Sequence, residues 1–137
     1  MSTLTTFPYD NDRVRLRTRP SSQHRIDERT DHNILFFGEQ SAEVIRQRLR
    51  ALDREWDVER VLEANASTLA LTGLALGAAL HRRWLWVSAT VLGFLLLHAT
   101  QGWCPPLPVL RAKGVRTRGE IERERIALLQ RLQGRHQ

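Results

Sequence analysis

The sequence holds one cysteine, one methionine and one tyrosine in 137 residues, and it has no aspartate or glutamate between Glu63 and Glu120. A single thiol, Cys104, excludes an intrachain disulfide and a thiolate-rich zinc site within one copy, and it suits a reducing compartment. GxGxxG, P-loop, HExxH and spaced Cys/His patterns are all missing, so no cofactor and no metal are expected. Met1 to Asp12 lacks a charged segment followed by an apolar one, so a cleavable signal peptide is not expected and any membrane insertion must come from internal segments. The length allows one compact domain or one membrane module with appendages, which argues against a multidomain enzyme.

What is present is unevenly distributed. Lys and Arg number 21 against 15 Asp and Glu, a net charge of +6. The acid-free stretch holds Arg82, Arg83, Arg111, Lys113, Arg116 and Arg118, which equals that excess. This unpaired positive charge flanks the most apolar part of the chain, a pattern that points to a lipid bilayer and not to nucleic acid. The mean hydropathy of −0.38 averages long charged arms with a short apolar segment and hides the latter.

Two apolar stretches, Ala64 to Leu80 and Trp84 to Trp103, are separated by His81, Arg82 and Arg83. The first is marginal because it contains Asn65, Ser67, Thr68 and Thr72. The second extends roughly 28 Å as a helix, close to the hydrocarbon thickness, with Trp84 and Trp86 at one end and Trp103 at the other. So short a connection makes an antiparallel hairpin, placing both flanks on one side. Arg46, Arg48, Arg50, Arg54 and Arg60 precede it and Arg111, Lys113, Arg116, Arg118 and Arg123 follow, against two arginines in the bend, so both termini are expected in the cytoplasm. A buried helical pair in a soluble domain would need more enclosing apolar surface than the rest of the chain supplies.

The flanks read as a polar, mobile arm over residues 1–22, amphipathic cytoplasmic helices over 23–56, the transmembrane hairpin over 57–103, and an interfacial turn with a C-terminal amphipathic helix over 104–137. In the arm, Arg13, Arg15, Arg17 and Arg19 alternate with other residues, which also suits a short edge strand. Ile26, Thr30, Ile34 and Phe37 recur at helical spacing. Ser41 is an N-cap ahead of the stripe Ile45, Leu49, Leu52 and Trp56, and Asp57 is a cap for the helix entering the first span. Pro105, Pro106 and Pro108 end the second span, and Thr117 with Glu120 forms a capping box ahead of a helix ending near Gly134. The fold class is therefore all-α: an integral membrane two-helix transmembrane hairpin flanked by amphipathic cytoplasmic helices.

Four groups of residues are candidates for function. Ala66, Ala70, Gly73 and Gly77 form a small-residue seam that packs either within the hairpin, near Ala89 and Gly93, or between two copies. His98 lies roughly 7 Å inside the interface, at the height of Asn65, Ser67 and Thr68, where it is either hydrogen-bonded across the hairpin or available to a proton or a metal. Cys104 is a candidate nucleophile, sulfur carrier or acylation site, or a small apolar helix end. Arg111, Lys113, Arg116 and Arg118 are candidates for anionic lipid headgroups, at about 1 kcal/mol each, or serve positive-inside retention alone.

The second span and its exit, with Gly93, Gly102, Cys104-Pro105 and a basic turn ending at Gly114-Val115, resemble the YgaP-like inner-membrane domain, a bacterial domain of unknown function. The resemblance covers roughly Asp57 to Val115 and implies a tight two-helix hairpin in the bacterial inner membrane. The namesake carries a rhodanese-type sulfurtransferase ahead of its hairpin. No cysteine precedes Cys104 here, so that activity does not carry over. The expected function is a non-enzymatic membrane anchor and interaction module whose partners are the lipid bilayer and either a second copy or a membrane protein, with no nucleic acid. The alternative is a membrane-bound sulfur, redox or metal handler using Cys104 with His98.

Overall fold

The computed structural model describes residues 12–135 and is all-α. In chain order the helices are α1 (Arg13–Leu16), α2 (Pro20–Gly38), α3 (Ala42–Arg54), α4 (Val58–Ala79), α5 (Leu85–Gln101), α6 (Leu107–Ala112) and α7 (Arg118–Gly134), with a 3₁₀ turn at Arg82–Trp84 leading into α5. Their limits follow local chemistry. Pro20 opens α2, where its missing N–H costs nothing. Ser41, Asp57 and Thr117 accept hydrogen bonds from Val44, Arg60 and Glu120 N–H at the starts of α3, α4 and α7. Gly102 ends α5 at φ +73°, its N–H bonded to His98 O at 2.8 Å.

α4 and α5 pack as an antiparallel hairpin, and both are long and apolar enough to cross a membrane. The apolar part of the stretch Ala42–Ala79 lies in α4, because the helix is interrupted at residues 55–57. Close approach is set by glycine. A Cβ on Gly73 would lie 2.5 Å from Ser88 Oγ and 3.1 Å from both Ser88 N and Trp84 O, and one on Gly77 would lie 2.5 Å from Leu85 Cδ2. Ser88, buried in this seam, donates to Ala70 O at 2.8 Å. Gly93 has nothing within 4 Å of its would-be Cβ and takes no part in the contact, because it falls on the outer side of α5. The outer surface of the hairpin is apolar: Leu71 of α4 and Trp86 and Leu96 of α5 are 66%, 75% and 66% exposed.

The flanking helices do not remain separate arms. Ile45 and Leu52 of α3 meet Ile121 and Leu128 of α7 in one core, with Phe37, Leu49 and Leu132 packed around it. A second core joins this head to the hairpin through Val14, Val58, Leu62, Cys104 and Leu107. The expected mobile arm is accordingly corrected for residues 12–22. Asp12 caps a short helix that buries Val14, and Arg15 pairs with Asp27 and Glu120. Residues 1–11 of that arm lie outside the described region. Trp56 leaves the α3 stripe because the helix stops at Arg54, and its exposed ring lies against the Arg60 guanidinium.

Substituting Gly73 by Leu is expected to destabilise the hairpin by about 1–3 kcal/mol or more, since the neighbouring atoms include backbone that cannot yield. Gly93→Leu is expected to be close to neutral. Thermal unfolding in detergent, followed by circular dichroism, compares the two.

Candidate functional site

The chemistry-bearing side chains gather where the head meets the hairpin. α1 lies across the exit of α5: a Cβ on Gly102 would come within 2.6 Å of Arg13 Cβ, and the Arg13 guanidinium donates to Ala99 O and Thr100 O at 3.0 and 3.1 Å. These are carbonyls at the end of a helix, where a cation is favoured. On the hairpin side, the Val58 N–H donates to Arg116 O at 3.0 Å, so the first turn of α4 is tied to the segment leading into α7.

Two cavities flank this junction. One, about 660 Å³, is lined by Asp12, Arg13, Glu59, Glu63, Leu95 and His98 among others. The other, about 230 Å³, is an apolar crevice between α4, α5 and α6, lined by Leu62, Leu69, Phe94, Leu95, His98 and Cys104 among others. His98 and Leu95 form a wall common to both. His98 does not bridge the hairpin. Asn65 and Thr68 instead bond back to Val61 O and Ala64 O of their own helix, and His98 Nδ1 is buried with no hydrogen-bond partner among the described residues. Glu59 Oε2 is also buried and has no partner among the described residues. Burial raises the Glu59 carboxyl above its ordinary value, and the nearby carboxylates of Asp57 and Asp12 add to this.

Cys104 is buried, and that burial raises its thiol above the ordinary value. Removal from water disfavours the thiolate, the form needed for attack or metal binding. The spacing of six between His98 and Cys104 nevertheless brings both to one crevice, because the chain turns back after Gly102. Among the described residues no group of three His, Cys, Asp or Glu side chains is placed to hold a metal ion.

Two of the four basic residues that are candidates for lipid headgroups are corrected, because their side chains are buried in the head. Arg111 is 1% exposed and makes two hydrogen bonds to Glu120, at 2.7 and 2.8 Å, with further bonds to Thr18, Gln23 and Val115. Arg116 is fully buried between Glu55 and Glu124. The acidic partners lie far along the sequence, as Glu55 does, or within the first two turns of α7, as Glu120 and Glu124 do, so composition around residues 111–118 could not reveal them. Lys113 and Arg118 stay exposed. Asp12, Arg13 and Glu59 were missed as site residues. The available signal was a pair of carboxylates one helical turn apart, Glu59 and Glu63, immediately before an apolar span.

Arg111→Leu is expected to cost the head about 3–5 kcal/mol by leaving Glu120 charged and buried without its partner, while Lys113→Ala stays within about 0.5 kcal/mol. Chemical denaturation of both variants measures the difference. Acid should act on the same contacts. Burial alone would raise the Glu120 and Glu124 carboxyls, but hydrogen bonds from Arg111 and Gln23, and from Arg48 and Arg116, outweigh it and hold both below the ordinary carboxylate value. Because their folded values are depressed, these groups stabilise the head fully above the ordinary carboxylate range, and that contribution is lost as pH falls from there through the folded values. Melting temperatures should therefore be level near neutrality and drop steadily below about pH 5. Maleimide labelling of Cys104 should run at least about tenfold slower in the folded chain than after denaturation.

No family model, no curated protein and no solved structure matches this chain.

Proposed function

We propose that this chain is a non-enzymatic module of the bacterial inner membrane, in which the hairpin crosses the bilayer twice and holds a helical head, with both termini, on the cytoplasmic face. The observation that carries the reading is the contrast between the two halves. The second apolar segment, Arg82–Gln101, is only 6% buried across its spanning window, whereas the head encloses an apolar core between α3 and α7 and pairs its buried charges. In water such an apolar surface would drive association, and in lipid it is matched to its solvent. The arginines of the bend are outnumbered by the basic residues of the flanks, which supports the inward orientation of the head. The resemblance to the YgaP-like domain supports the bacterial inner membrane.

In this role the head engages a second copy or a membrane protein partner. Leu35 and Phe36, on the outer side of α2, are 61% and 51% exposed and provide the apolar contact such a partner needs. Sulfur, redox or metal handling by Cys104 with His98 is the weaker reading, since burial suppresses the thiolate.

In a Cys104→Ala background, Arg82→Cys should react with a membrane-impermeant maleimide added to intact cells, and Lys113→Cys only after permeabilisation. The reverse pattern would overturn the orientation, and release of the protein by alkaline carbonate would overturn membrane crossing. Phe36→Glu should abolish crosslinked assemblies in native membranes while leaving insertion unchanged; persistence of those assemblies would remove α2 from the contact.

A further inference from the structure

We propose that the cleft between α2 and the end of α6 binds the phosphate of an anionic lipid headgroup, held by Arg25, Arg29 and Lys113. The inference rests on the membrane reading, because the bilayer supplies the ligand.

The cleft, about 200 Å³, is lined by five basic side chains and, among the described residues, by no carboxylate. Two of the five are committed elsewhere. All five N–H groups of the Arg111 guanidinium are used within the head, and Arg116 is held by Glu55 and Glu124. The ion pairs around them are balanced, five arginines against five carboxylates, and form a neutral back wall. The outer three are different. Arg25, Arg29 and Lys113 are exposed, and none of the ion pairs among the described residues includes them. Of the carboxylates beside them on α2, Asp27 belongs to the back wall and Glu28 lies against His24 at 3.1 Å. Arg118, also exposed, belongs to a different cavity of mixed charge with Asp57, Glu59 and Glu122.

The turn after α6 brings the three cations together. Gly114, at φ +83°, donates to Arg111 O and Val115 N–H donates to Leu110 O, at 3.0 and 3.1 Å, so the chain turns at once and Lys113 stays at the helix end. Arg25 and Arg29 lie one turn apart on one face of α2 and reach that end. The Arg25 guanidinium donates to Ala112 O at 3.5 Å, and Arg29 Nη1 lies 3.5 Å from where a Cβ on Gly114 would stand. Cations gathered in this way repel one another, and a phosphate, with several acceptor oxygens, relieves that repulsion and takes charge-assisted hydrogen bonds.

Position in the fold selects a lipid as the source. α6 follows the second span, and its flank borders the apolar crevice between α4 and α5 through Pro106 and Leu110. Val109 is 56% exposed and lies one turn before Lys113 on the same face. An outward apolar residue beside a cation, on a helix packed against the spans, fits the boundary between acyl chains and headgroups.

The test uses the full chain in phosphatidylcholine vesicles that hold a trace of phosphatidylglycerol with a photoactivatable group on its headgroup. Flotation that survives alkaline carbonate reports insertion, and peptide mapping of the crosslink reports the site. The expected result is saturable labelling within residues 22–29 and 109–114, at least about tenfold above that of a phosphatidylcholine probe of the same design. Replacing Arg25, Arg29 and Lys113 together by Gln should bring the anionic probe down to the phosphatidylcholine level. Should that variant misfold, Lys113→Gln alone decides, with an expected loss of about fivefold. Arg118→Gln should leave labelling unchanged. An equal loss with Arg118→Gln would show attraction by net charge alone and would overturn the site, as would labelling that does not saturate. Displacement of the probe by soluble glycerol phosphate more readily than by unlabelled phosphatidylglycerol would overturn the lipid as source. Release by carbonate would instead count against the membrane reading.

Discussion

The arrangement depends on two buried arginine–glutamate pairs, Arg111–Glu120 and Arg116–Glu124, whose further partners Arg15, Thr18, Gln23, Arg48 and Glu55 tie the N-terminal helices to α7. Removing four charges from water is unfavourable, and mutual attraction offsets that cost only when geometry and remaining hydrogen bonds are satisfied. Arg111 meets the condition through five hydrogen bonds to four groups drawn from the α1–α2 connection, α2, the turn before α7, and α7 itself. Glu120 also caps its own helix, accepting from Thr117 N–H at 2.8 Å, so one carboxylate fixes both where α7 begins and where it sits. Such pairs contribute modestly to stability but strongly to specifying one arrangement: a displaced α7 would leave charges buried and unpaired.

From that fixed point the remaining geometry follows. The Arg116 carbonyl receives the first N–H of α4, and Leu107 and Val58 pack with Val14, so the head grips the hairpin at the end where its helices enter and leave. At the other end the contact between the spans is maintained by small residues. Gly73 and Gly77 let α5 come close enough for Ser88 to bond across to Ala70 O, a contact that needs no apolar driving force. The two devices are complementary, ionic and directional in the head, steric in the spans.

Much of the secondary structure was legible because its signals are local. The caps at Ser41, Asp57 and Thr117, the prolines after Cys104 and the small-residue spacing at 73 and 77 act within a turn or two of helix. The hairpin was legible because three residues cannot connect two long helices in any other way. What escaped sequence reasoning was tertiary. Arg13 and Arg15 look like members of a solvated basic run until Ala99 O, Asp27 and Glu120 are placed beside them. Arg111 and Arg116 look like lipid anchors for the same reason, and Gly93 looks like part of the seam because its angular position around α5 is not given by its depth. The apolar stripe of α3 was visible, but that α7 covers it was not, since the complementary faces are separated by the whole hairpin.

That separation has a consequence for biosynthesis. Half of the head, α2 and α3, leaves the ribosome before the spans, and the helix that completes its core leaves after them. The early half therefore waits with Ile45 and Leu52 uncovered until the hairpin has been made and α7 follows it. A chain in which α5 failed to fold back on α4 would hold α7 away from α3, where Glu124 could not reach Arg48. Closure of the head thus follows closure of the hairpin, and a copy whose hairpin stayed open would keep the apolar stripe of α3 exposed.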